Sequence, residues 1–434
     1  MIAAEKKWGR GLELPVARRS RLLAVGMLVP LMMFALGCEG LLDVANPGQI
    51  RVEDLKDPAL AEVLVFGAQG DFECFFTNWI DVIALWTGDL DGSQARRDAD
   101  LVMQRHASVF QIEGGENCRG RATSIGGLPL HTARIQADSA IGRISDFPDA
   151  EVPDKAFLLG KASVYAGFTY LMAGEAYCEL TFDGGPVVSR SATLEIARTR
   201  FTDAINGLGG IGGSEAGNLR QAALVGRARA SLNLGDDAGV LQDAGAVTDP
   251  DFVFYSTHSV SADRRYNQQA EKIQLLRWRS APAKYHDLEV DGVPDPRIVT
   301  EFDGVSDRAQ QDHYTVTKYT DRSDPIPIAS WREAQLMIAE VQGGQTAVDV
   351  INSLRATWGL PEFSSTNDAE IREQVREERR RELYLQTGSR LGDMLRWGEP
   401  LPSGLDPLGR PYVQEFTCLP LHLREILNND NVSG

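Results

Sequence analysis

Apolar and small residues recur at helical spacing through much of the chain from residue 155 onward. In residues 155–180, Leu158, Ala162, Tyr165, Ala166 and Thr169 share one face of a helix. Residues 193–207 place Ile196, Ala197, Phe201, Ala204 and Ile205 on one stripe. Residues 218–247 predict two helices broken at Leu234-Gly235-Asp236, and residues 330–356 repeat the plan with a break at Gly343-Gly344. Residues 367–396 predict a last, strongly charged helical region. Each pair leaves an apolar face that only a neighbour can cover, so the pairs should stack.

Two stretches depart from this pattern. Residues 48–122 predict one or two helices followed by an irregular run that includes GDLDGSQARRDAD and EGGENCRGR. Residues 248–327 are rich in Asp, Pro and aromatics and suit short strands, such as Tyr314 to Lys318, between loops. The pairs resemble tetratricopeptide repeats. The fold class expected is mainly α, a helix-pair solenoid with large irregular insertions and a few short strands. The scaffold would occupy residues 123–247 and 328–434, and the insertions residues 48–122 and 248–327. Insertions that rise from one face of such a stack commonly bind the ligand.

The N-terminus has a different character. Met1 to Arg21 is basic, and Leu22 to Leu36 is almost purely apolar with an internal Pro30. Fifteen residues are short for a membrane span, which needs about 20, but suit the core of a secretory signal. Gly37 then precedes Cys38, and the arrangement resembles a bacterial lipoprotein signal. That resemblance implies removal of residues 1–37, lipidation of Cys38 with palmitate-type acyl chains, and a mature body from residue 38 held to a membrane by lipid.

The chain has 434 residues and a net charge of −17, which becomes −21 once residues 1–37 are removed. This acidity argues against a nucleic-acid partner. The 43 % apolar content excludes wholesale disorder. Beyond Cys38, four cysteines remain, Cys74, Cys118, Cys178 and Cys418. An even number in an exported chain reads as disulfides, with free buried thiols as the alternative. Of three pairings, Cys74–Cys118 with Cys178–Cys418 is favoured, because the first two share one irregular region.

Several collinear segments then resemble the SusD/RagB-like outer-membrane lipoproteins. They are Leu41-Leu42-Asp43-Val44 with Asn46-Pro47, GEAYCELTFDGGPVV (Gly174 to Val188), Asp295 to Ile298, Lys318-Tyr319, Ile328 to Val341, Ala347 to Pro361, Glu377 to Gly398, and Cys418 to Asp430. Thr387 and Val341 stand where that family usually has Glu and Ala. The resemblance implies a non-enzymatic, cell-surface lipoprotein on the bacterial outer membrane. Such a protein captures a nutrient, an oligosaccharide or glycan above all, and acts as the lid of a SusC-like TonB-dependent transporter. Two rivals are a surface-anchored helical glycoside hydrolase or lyase and a periplasm-facing tetratricopeptide scaffold.

Sugar recognition favours aromatic faces flanked by carboxylates and amides. The candidate ligand residues are Trp79 and Trp86, Asp89 and Asp91 in GDLDGSQ, and Trp278 with Tyr285 in RWRSAPAKYHD. Trp331, Trp358 and Trp397 read as structural. The alternating charges from Glu377 to Arg396 read as an ion-pair network clamping the last helices, at spacings of three and four. No catalytic residue or cofactor is singled out. No histidine pair has zinc-ligand spacing, and Gln94 occupies the position where a calcium loop needs glycine. Gly207 to Gly212 formally satisfies G-x-G-x-x-G but follows a helix rather than a strand, so it reads as a connector.

Overall fold

The computed structural model describes residues 54–93, 97–106, 128–305, 311–407, 409–413 and 416–432. The expected signal segment 1–37, the lipidation candidate Cys38 and the disulfide candidate Cys118 lie outside the described residues. Within the unit Leu55–Gly434 the architecture is mainly helical.

Helix α1 (Ala61–Thr87) runs 27 residues and ends at Gly88, whose left-handed φ of +70° lets its N–H reach the Ala84 and Leu85 carbonyls. From Phe72 to Thr87 every residue is buried, so this segment lies inside the body rather than on its surface. It packs on α3 (Leu128–Asp146) and α4 (Lys155–Ala176). Residues 48–122, read as an insertion, thus contribute the wholly buried segment Phe72–Thr87 to the core. The run is apolar all round because neighbours surround it, and one-faced periodicity is therefore missing. The short α2 (Arg97–Met103) follows it.

Helix α4 is almost entirely buried, and glycines at every seventh position set how closely α5 (Arg190–Leu208) approaches it. A Cβ built on Gly160, Gly167 or Gly174 would come within 2.6–2.8 Å of Leu208, Phe201 and Leu194, respectively. Those three partners are also seven residues apart and run in the opposite direction, as an antiparallel pair requires. Phe201 then reaches across to α6 (Ser214–Leu234), where a Cβ on Gly226 would lie 2.3 Å from its ring. The stack continues through α7 (Asp237–Gly245), α8 (Trp331–Gln342), α9 (Gly344–Thr357) and α10 (Asp368–Glu382). Polar caps mark the entries: the Ser330 hydroxyl accepts from Glu333 N at 3.2 Å, and the Asn367 amide oxygen from Ala369 N at 2.9 Å.

The charged region 367–396 is not one helix. It breaks between α10 and α11 (Arg390–Trp397), where Leu385, Thr387 and Gly388 all take positive φ. Tertiary bonds hold this bend. Thr387 N donates to Pro327 O at 3.0 Å, and Leu385 O accepts from the Tyr319 hydroxyl at 3.1 Å. Buried ion pairs clamp the bend to the stack. Arg229 donates through Nε and Nη2 to Glu175, both at 2.7 Å, and through Nη2 to Thr387 O. Arg379 binds Asp393, and Arg355 binds Glu378.

The strands form five separate antiparallel pairs among the described residues. They are β1 (Asp91–Gly92) with β5 (Arg279–Ser280), β2 (Glu179–Thr181) with β3 (Val187–Ser189), β4 (Val253–Ser256) with β10 (Ile326–Ser330), β6 (Glu289–Val290) with β7 (Val293–Pro294), and β8 (Thr300–Val305) with β9 (Asp312–Val316). Most of them lie in the loop-rich stretch 248–327. The strand read at Tyr314 to Lys318 begins two residues earlier. Cys178 and Cys418 are bonded, with Cα atoms 5.3 Å apart, which fastens the C-terminal tail to the end of α4. Cys74 is also disulfide-bonded.

Candidate functional site

Where α1 ends, the chain turns through Gly88 and enters β1. Asp91 pairs with Ser280 and Gly92 with Arg279. That pairing rests on a buried ionic floor. Asp81 of α1 accepts from Arg279 Nε at 2.6 Å and Nη2 at 2.8 Å, and from Lys272 Nζ at 2.9 Å. Burial alone would raise the Asp81 pKa, but the two cations outweigh it and hold it at about 2. The floor is therefore ionised and rigid. His313 of β9 leans on it, its Nε2 2.9 Å from Arg279 O, and burial lowers its pKa, which favours the neutral ring.

Above this floor opens a groove of about 580 Å³, lined by Asp91, Ser93, Ser280, His286, Asp312 and Tyr314 among others. Two rings in its wall, His286 and Tyr314, continue into a ladder of three with Phe302 just outside the lining. His286 stacks on Tyr314 with centroids 3.6 Å apart and an interplanar angle of 23°. Tyr314 lies 5.5 Å from Phe302, its cross-strand partner on β8. Phe302 is 57 % exposed. The ladder is positioned by backbone: Tyr314 N donates to the Ser280 hydroxyl at 2.9 Å, and Ala281 N to Tyr314 O at 2.9 Å. Half-buried Asp91 has its pKa pushed up to about 7, by burial first and by Asp406 nearby, against the pull of Lys284. The arrangement offers flat apolar rings beside hydrogen-bonding groups, which suits a ligand with both C–H faces and hydroxyls.

The structure separates the residues singled out from sequence. Asp91 lines the groove. Trp278 is half-buried beside it, and its carbonyl accepts from Ser93 N at 3.2 Å. Trp79, Trp86, Asp89 and Tyr285, also expected to face a ligand, are buried and do not line the groove. Trp79 and Trp86 do share a helix face, but α1 turns it inward, where Trp79 stacks on Tyr177. Asp89 is a structural acceptor, taking the Tyr285 hydroxyl at 2.6 Å and Lys284 Nζ at 3.0 Å. Burial pushes its pKa up, yet Lys284 and Arg390 more than reverse this.

His286, Tyr314 and Phe302 were not singled out. His286 adjoins Tyr285, and Tyr314 lies in a predicted strand, but only the β8–β9 register and the turn at Ala283–Tyr285 bring the rings together. The charged run Glu377 to Arg396 lines no part of the groove; its side chains are largely engaged in the buried pairs described above. Among the described residues no group of side chains is arranged to hold a metal ion, and no helix is long and apolar enough to cross a membrane.

A helix-pair stack carrying a strand-built groove defines the class of protein. Residues 333–423 match the SusD family model, and the chain has a SusD-like fold. A SusD-like carbohydrate binding protein from Bacteroides vulgatus is similar, with a TM-score of 0.64 and 14 % identity over 87 % of this chain and 97 % of that one. The surface glycan-binding protein A from Bacteroides thetaiotaomicron, solved in complex with laminarihexaose, gives 0.64 and 14 % over 86 % and 98 %. A SusD superfamily protein from Parabacteroides distasonis gives 0.62 and 14 % over 89 % and 99 %. No curated protein matches the chain in sequence.

Proposed function

We propose that this chain is a cell-surface lipoprotein of the bacterial outer membrane that captures a glycan in the groove without chemistry and acts as the lid of a TonB-dependent transporter. The observation that carries the binding part is the ladder His286–Tyr314–Phe302 beside Asp91 and Ser93. Stacked rings cover the C–H face of a sugar, and the flanking polar groups take its hydroxyls. The similar fold of a protein solved with laminarihexaose supports a glycan as the cargo class. The basic Met1–Arg21 segment, the apolar Leu22–Leu36 run and the Gly37-Cys38 step support the membrane-anchored role.

Affinity electrophoresis against a polysaccharide panel tests the binding part. Tyr314→Ala should abolish retardation while leaving the circular dichroism spectrum unchanged; equal retardation of both proteins would refute the groove. Release of reducing ends from any bound polymer would refute the non-catalytic reading. Radiolabelled palmitate should enter the wild type and not Cys38→Ala, and a β-barrel partner should co-purify from membranes of the native host.

A further inference from the structure

Resting on the reading of the groove as a glycan site, we infer that it takes uncharged, hydroxyl-rich chains and rejects uronate-bearing or sulfated ones. Among the described residues that line the groove, the acidic side chains are Asp91 and Asp312, and no Lys or Arg is among them. Asp91 lies on one edge and exposed Asp312 on the other, at the start of β9. Asp406 stands close enough behind Asp91 to act on its titration.

The neighbouring cations are committed elsewhere. Lys284 Nζ binds Asp89 at 3.0 Å, Arg410 Nε binds Asp406 at 2.7 Å, and Arg279 is locked on Asp81 beneath the floor. Arg277 at the rim binds Asp303 at 2.8 Å. His286 Nε2 sits 2.9 Å from Ala281 O, so its proton there is committed to that carbonyl. His313 is buried, which favours its neutral form.

A sugar hydroxyl can donate to either carboxylate in a charge-assisted bond. A carboxylate or sulfate on the ligand would meet the like charge of Asp91 and Asp312 at the groove, while the uncompensated Arg105 is buried and held by the Trp86, Pro402 and Val413 carbonyls. The whole chain, at −17, adds a repulsive field of the same sign.

The test uses the full mature protein at pH 8, where Asp91 is ionised, with wild type, the Asp91→Asn/Asp312→Asn double variant and Tyr314→Ala. The probes are neutral polymers (laminarin, mannan, xyloglucan, soluble starch) and acidic ones (polygalacturonate, alginate, chondroitin sulfate), in calorimetry and affinity electrophoresis. The wild type should bind at least one neutral polymer and favour it over every acidic one by about tenfold or more. The double variant should narrow that ratio. Acidic binding as tight as neutral, or a ratio unmoved in the double variant, would overturn the selectivity while Tyr314→Ala still confirms the groove. Binding that survives Tyr314→Ala, or no binding to any polymer, would overturn the groove reading and the selectivity with it.

Discussion

Replacing Arg379 with alanine separates a structural from a ligand-binding role for the charged segment that follows Glu377. Arg379 is fully buried; its Nε and Nη2 each donate to Asp393 at 3.1 Å, and Glu340 lies 3.9 Å away. The substitution removes one partner of a buried pair and leaves Asp393 with Arg396 Nη2 alone, at 2.9 Å. Such a loss costs about 3–5 kcal/mol. For the unit Leu55–Gly434, an unfolding entropy near 2 cal/mol/K per residue converts that cost to a Tm lower by about 4–6 °C.

The Arg379→Ala effect carries a pH signature. Burial would raise the Asp393 pKa, but Arg379 and Arg396 outweigh it and bring it to about 2. A depressed carboxylate pKa contributes stability above its unfolded value near 4, and that contribution is lost as pH falls toward 2. Arg379→Ala removes part of it, so the gap between variant and wild type should be full at pH 7 and shrink below pH 4. Glycan affinity should be unchanged, since Arg379 does not line the groove. Differential scanning calorimetry from pH 3 to 7, with calorimetric titration of a bound polymer, measures both quantities. Loss of affinity at an unchanged Tm would refute the reasoning, as would a gap independent of pH.

Phe201→Ala should cost about 3–5 kcal/mol and Gly226→Ala about 1–3 kcal/mol, because the ring fills the space that the glycine leaves. The double variant should be less destabilised than the sum of the two, and strict additivity in urea unfolding would contradict that packing. Cys178→Ser/Cys418→Ser should lower stability by about 2–5 kcal/mol and expose residues 417–432 to hydrogen exchange, since the bond closes a separation of 240 residues; unchanged exchange would argue against the latch. Asp91, with a folded pKa near 7 above its ordinary value, contributes stability that is full below pH 4 and lost as pH rises to about 7. Asp91→Asn should flatten that decline in a Tm–pH series, and superimposable profiles would dismiss it.

Helix pairing was legible in the chain itself, because 3.6-residue periodicity survives wherever a helix has one buried side. Residues 193–207, 218–247 and 330–356 show it, and their breaks at Gly235 and Gly343 fall where the helices end. The fold class and the structural role of the charged run followed from such local patterns.

Three features needed the folded molecule. Phe72–Thr87 is enclosed on all sides, so its pattern carries no face and its tryptophans looked available when they are core. The bend at Leu385–Gly388 is imposed by bonds to Pro327 and Tyr319, far away in sequence, against the local helical tendency. The ring ladder joins His286, Phe302 and Tyr314 through a strand register and a turn. Periodicity reports which face a segment buries, whereas a binding surface depends on which distant segments meet, and that is a property of the tertiary contacts alone.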